Sequence, residues 1–126
     1  MLGWTIIVYR QANGGELPPM WGSETGQQIA VWQTDVNGRK WIDWLVGMGR
    51  AAADPRGDGY PDRYTAKARY LLRRIIDGPP EAIEAWGEGP EIIIGRRNVG
   101  KTMINREVAD DCRPDEWLLV EAWDES

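Results

Sequence analysis

The stretch Gly95-Arg96-Arg97-Asn98-Val99-Gly100-Lys101-Thr102 matches G-x-x-x-x-G-K-[ST] at every fixed position and follows an apolar run, Ile92 to Ile94. In a phosphate loop of that pattern the glycines let backbone N–H groups wrap the phosphates, the lysine reaches the outer phosphates and the hydroxyl holds Mg²⁺. Position in the chain argues against that use. Such loops follow the first strand of a parallel sheet built mostly downstream, and here only residues 103–126 come after Thr102. The segment from Met103 to Cys112 carries Asn105, Asp110 and Asp111, and Pro114 ends any helix there early. Gly95 to Thr102 therefore reads chiefly as a basic turn between two strands, with nucleotide binding as an alternative.

Carboxylates are the second source of chemistry. Asp110-Asp111, Asp115-Glu116 and Asp124-Glu125 are the residue types of a metal-dependent hydrolase or a glycosidase, which need two or more convergent acids. Neighbours on a strand point to opposite faces, so adjacent acids are poor ligands for one ion. A solvated acidic surface is the expected reading, with a carboxylate-metal hydrolase as the enzymatic alternative. Cys112 lies between Asp111 and Arg113 in a chain with no histidine. Acidic neighbours raise a thiol's pKa and no imidazole is at hand to take the proton, so a cysteine nucleophile is not expected.

The missing histidine also excludes Ser-His-Asp triads and imidazole metal sites. A single cysteine excludes an internal disulfide and a multi-thiolate zinc site. No cofactor or metal is expected. Usage of this kind suits a reducing compartment, and the only apolar run near the start, Trp4 to Tyr9, has no Lys or Arg before it and is too short to span a bilayer. We expect a soluble cytoplasmic protein.

Fifteen Lys and Arg against twenty Asp and Glu give a net charge of −5, and the charges are segregated. Between Arg56 and Arg74, the bases Arg56, Arg63, Lys67, Arg69, Arg73 and Arg74 outnumber Asp58 and Asp62. From Glu107 onward, Glu107, Asp110, Asp111, Asp115, Glu116, Glu121, Asp124 and Glu125 face Arg113 alone. Acidic surfaces imitate nucleic-acid phosphates and accelerate association with basic sites. The expectation is a non-enzymatic binding protein, an inhibitor of immunity-protein or phage anti-defence type. Its docking surface is read as Asp110, Asp111, Asp115, Glu116, Glu121, Trp123 and Asp124, set against a basic site on a partner such as a nuclease toxin. A nucleic-acid-contacting role through a basic helix, residues 63–74, using Arg63, Lys67, Arg69, Arg73, Arg74 and Tyr70, is a further alternative.

The elements that must position these residues follow from periodicity. At 126 residues with 42% hydrophobic content the chain is the size of one domain. Eight Trp and four Tyr occur without Phe, so indoles must fill much of the core, leaving one or two for a recognition surface. Trp4 to Arg10 reads as a central strand ending at Asn13-Gly14-Gly15, and Gln28 to Gln33 as a second strand after an irregular loop, Glu16 to Gly26. Trp41, Trp44, Leu45 and Met48 make one helical stripe between Arg39 and Ala53, capped by Asn37 or Asp35, with Gly47 and Gly49 weakening its last turn. Thr65 to Asp77 is the clearest helix, with Thr65 as N-cap, the stripe Ala68, Leu71, Leu72, Ile75 and Ile76, and Gly78-Pro79-Pro80 as its stop. An acidic linker, Glu81 to Glu91, leads to a strand at Ile92 to Ile94; Arg106 to Cys112 adds a helical turn. Trp117 to Trp123 is the last strand, with Leu118, Val120 and Ala122 on one face and Trp117, Leu119, Glu121 and Trp123 on the other. The predicted fold class is α+β, a mostly antiparallel sheet of about four strands with two helices on one face.

Overall fold

The computed structural model describes residues 3–12, 14–19, 25–35, 38–55, 61–75, 80–81, 93–94 and 98–124. In chain order the elements are β1 (Gly3–Gln11), β2 (Thr25–Asp35), α1 (Lys40–Gly47), β3 (Ala51–Ala53), β4 (Asp62–Lys67) and α2 (Ala68–Ile75). They continue with β5 (Pro80–Glu81), β6 (Ile93–Ile94), β7 (Asn98–Ile104), α3 (Arg106–Asp111) and β8 (Trp117–Asp124). The main sheet has six strands in the order β3-β4-β8-β1-β2-β7, every pairing antiparallel, while β5 and β6 form a separate two-stranded ladder. The class is α+β as expected, with six sheet strands rather than about four and three helices rather than two.

β1 is central, as its apolar composition on both faces predicts. The alternation read from β8 also appears: Leu118, Val120 and Ala122 are fully buried in one cluster with Ile6, Val8 and Trp32. The buried side chains of all three helices, Trp41, Ile42 and Leu45 of α1, Ala68, Leu71 and Ile75 of α2 and Ala109 of α3, join that same cluster. Trp32 and Trp41 meet there at 5.9 Å between ring centroids, and neither indole N–H finds an acceptor among the described residues. An unmet buried donor costs about 1–3 kcal/mol. Burying an indole gains more, ~5 kcal/mol at 25 cal/mol per Å² over some 200 Å², so in a chain without Phe the exchange still favours Trp.

One correction follows from the pairing of β4 with β8, residue for residue, Asp62 opposite Ala122 through Lys67 opposite Trp117. Thr65 is therefore not a helix cap. It lies inside β4 and donates its hydroxyl to the Leu118 carbonyl at 2.7 Å. The helix begins three residues later at Ala68, and its first amides bond the carbonyls of Glu116 and Pro114. The stripe Ala68, Leu71 and Ile75 is buried as read, with Leu72 half-buried; the stop expected at Gly78 and Pro79 lies outside the described residues.

At α1 the first three stripe residues hold their expected places and the helix stops at Gly47, inside the turn that its glycines weaken; Met48 falls beyond it and the chain then enters β3, which is not expected. Gly49 takes φ +76°, its N–H bonds Val46 O, and the Arg50 N–H bonds Leu45 O at 2.9 Å. This is a Schellman ending, which turns the backbone out of the helix. A side chain at Gly49 meets no steric obstacle, so the whole cost of Gly49→Ala is the left-handed backbone, about 1–2 kcal/mol. Urea unfolding should show that loss with an unchanged m-value; a loss within error of zero contradicts the assignment. Of the two expected caps of α1, Asp35 closes β2 and Asn37 lies outside the described residues.

Smaller differences complete the comparison. Thr25 and Gly26, read as loop, begin β2. Glu81 belongs to β5 and the rest of the expected acidic linker lies outside the described residues, as does Ile92. α3 forms where the helical turn is expected, and the Asn105 side chain caps it by accepting the Val108 N–H at 3.2 Å.

Candidate interaction surface

Glu116 is the centre of the acidic segment, and it is internal. Its side chain is wholly buried and receives both Nε and a terminal N–H of Arg10, at 2.8 and 3.0 Å, in a bidentate pair. A second terminal N–H of Arg10 reaches Asp111 at 2.8 Å. The hydrogen bond to Glu116, then that to Asp111, raises the Arg10 pKa above its ordinary value, so the guanidinium is permanently charged. The chain folds closely around this pair. The Trp117 N–H bonds Gly15 O at 2.8 Å, and a Cβ on Gly15, which takes φ +76°, would stand 2.6 Å from Glu116 Cγ. Only glycine lets the β1 turn approach the carboxylate so nearly.

Glu121 is also turned inward. On the sheet face opposite the helices it receives Arg63 Nε at 3.2 Å and the Trp123 indole N–H at 3.3 Å, and it is 7% exposed. Burial, and secondarily the Glu121 charge, raise the pKa of the half-buried Tyr9 phenol on the neighbouring strand.

The residues that the charge count groups together thus divide. Asp110, Asp111 and Asp115 are exposed, and Glu107 joins them on α3. Glu116 and Glu121 are buried against the half-buried Arg10 and Arg63 and are not offered to a partner. Trp123 and Asp124 are half-buried at the far end of β8. The acidic surface is therefore an excursion between β7 and β8, residues 105–116, rather than the whole C-terminal third. Arg106 and Arg113 are exposed on it as well, Arg113 lying 3.8 Å from Asp115 and donating to Gly14 O at 3.2 Å. Arg10 is the residue that sequence reasoning missed. It stands 106 positions from Glu116, and no local spacing marks such a pair.

The remaining candidates are placed as follows. Asn98 to Thr102 is extended in β7, with Asn98 opposite Thr34 and Thr102 opposite Trp32. That half of the G-x-x-x-x-G-K-T segment is strand rather than turn, and its backbone runs along a ladder instead of curling around a phosphate; Gly95 to Arg97 lies outside the described residues. Among the described residues no three Asp, Glu or Cys side chains are placed to share a metal ion. The supposed basic helix is split, since Arg63 and Lys67 lie on β4 while Arg69, Tyr70 and Arg73 lie on α2. Only the backbone of Arg74 is described.

Cys112 is half-buried, with its thiol on Val108 O at 3.4 Å. Burial first, then the Glu116 charge, push its pKa up to about 11. At pH 8 its alkylation by iodoacetamide should run roughly ten- to a hundredfold slower than that of a free thiol, with the rate climbing only toward pH 11. A rate that levels off near pH 8.5 contradicts this environment.

No protein-family model, curated protein or solved structure matches the chain.

Proposed function

We propose that this chain is a small binding protein that carries out no turnover of its own and docks the acidic excursion, residues 105–116, on a basic surface of a partner protein. An inhibitor of immunity or anti-defence type, set against a nucleic-acid-handling enzyme, is the class this chemistry fits. The observation that carries the reading is the anchoring of the exposed carboxylates at both ends of their segment. Glu107, Asp110, Asp111 and Asp115 project from a segment fixed at one end by the Asn105 cap and at the other by the buried Arg10–Glu116 pair. Preformed charge of this kind steers encounter without an ordering cost on binding. The exposed Arg106 and Arg113 on the same segment fix orientation rather than sign.

The test begins with capture of the partner on immobilised protein and its identification by mass spectrometry. Stopped-flow association with that partner is then measured over an ionic-strength series. A rate that falls steeply between about 10 and 150 mM salt, as the Debye length shortens from ~30 to ~8 Å, supports the reading. A rate indifferent to salt rejects it.

A further inference from the structure

A second site lies at the corner where α1 exits into β3 and β4 meets β8. A cleft of about 310 Å³ opens there, lined by Arg50, Lys67, Tyr70 and Trp117 over Ala51 and Ala52. Its walls come from four elements. Arg50 is aimed by the Schellman turn at Gly49, and Lys67 ends β4 directly opposite Trp117. Tyr70 lies in the first turn of α2.

Each cation sits over a ring, the Arg50 guanidinium 5.6 Å from the Tyr70 centroid and the Lys67 ammonium 5.4 Å from that of Trp117. Cation–π contact fixes where the charges are without consuming their N–H donors. Arg10, Arg39, Arg63 and Arg113 all face carboxylates. Arg50 and Lys67 meet none among the described residues, and none of the described residues lining the cleft is acidic. In a chain of net charge −5, two cations with no carboxylate partner among the described residues, both lining one aromatic-walled cleft, are a place for an anion. The volume is at the small end of the ligand range, roughly 300–1,000 Å³, which holds a ring with one charged group and little more.

We infer that this cleft binds a phosphate-bearing planar ligand of mononucleotide size. The phosphoryl group lies between Arg50 and Lys67, as their donors and charge require, and the ring packs beside Tyr70 and Trp117 above the alanines. The site is separate from the acidic excursion and does not depend on it.

Calorimetric titration of the full chain with AMP tests the assignment, with adenosine, inorganic phosphate and a single-stranded oligo(dT) as the other arms. AMP should bind one to one with a Kd of about 0.1–1 mM. Adenosine, lacking the charge, and phosphate, lacking the ring, should each bind at least about tenfold more weakly. R50Q and K67Q should each weaken AMP roughly tenfold while their circular dichroism stays that of the parent. Should either variant fail to fold, the other and Trp117→Phe, which keeps an apolar ring, carry the test. No heat with AMP, equal binding of phosphate and AMP, or unchanged affinity in the variants overturns the site. An oligonucleotide that binds more than about tenfold tighter than AMP at equal nucleotide concentration overturns the mononucleotide size and makes the cleft a nucleic-acid contact.

Discussion

Glu116→Gln should lower the unfolding free energy by about 3 kcal/mol, a drop in Tm of about 10 °C for a domain of this size. The buried carboxylate answers two N–H groups of Arg10 at 2.8 and 3.0 Å, and removing one partner of such a pair leaves the other charged and largely covered, its side chain 16% exposed. Losses run to ~5 kcal/mol where nothing else compensates. The lower figure applies here because Asp111 still faces Arg10. The damage should spread along the chain, since the Ala68 N–H that starts α2 bonds the Glu116 carbonyl and the β1 turn rests on its side chain. Arg10→Met with Glu116→Leu should recover most of the loss, because two apolar side chains of similar bulk need no partner. A single variant that costs under about 1 kcal/mol would show that the pair is not holding the excursion.

The second large effect concerns recognition. Reversing Glu107, Asp110 and Asp115 to Lys should slow association with the captured partner by about tenfold to a thousandfold at low salt, with dissociation changed far less. Asp111 is kept, because a lysine there would oppose the half-buried Arg10 that holds Glu116, whereas Asp115 faces the exposed Arg113. Each of the three is exposed, so their replacement should alter stability by no more than about 0.5 kcal/mol each. Turning them to Gln instead should give about half the effect in log rate, since charge rather than shape is at issue.

How far the residues announced this arrangement varies by element. Strict alternation in β8 sorted Leu118, Val120 and Ala122 from Trp117, Leu119, Glu121 and Trp123, because a two-residue period allows no other division. The stripe Ala68, Leu71 and Ile75 likewise fixed the buried side of α2. Its start is expected at Thr65 and falls at Ala68, because the helix-capping chemistry and the strand propensity of Thr65 are both real. Long-range pairing with β8 decided between them, and no local pattern carries that information. Ala51 to Ala53 carries no strand signal of its own and joins the sheet because the turn at Gly49 delivers it to β4.

For the candidate surface, the charge count located the excursion and overstated its extent. Asp110, Asp111 and Asp115 are where an acidic docking segment needs them. Glu116 and Glu121 were grouped with them because sequence shows the sign of a side chain and not its depth. Their arginines come from β1 and β4, the two strands that flank β8 in the sheet. The cleft at Arg50 and Lys67 depends on the same long-range juxtaposition, with Trp117 entering from the opposite end of the chain.

The most direct measurement is hydrogen–deuterium exchange of the chain alone and bound to its captured partner. Binding through the acidic excursion predicts new protection concentrated in residues 105–116, on α3 and the turn that follows it, with the sheet face bearing Trp123 unchanged. Protection confined to that sheet face, with α3 exchanging as in the free protein, contradicts the account.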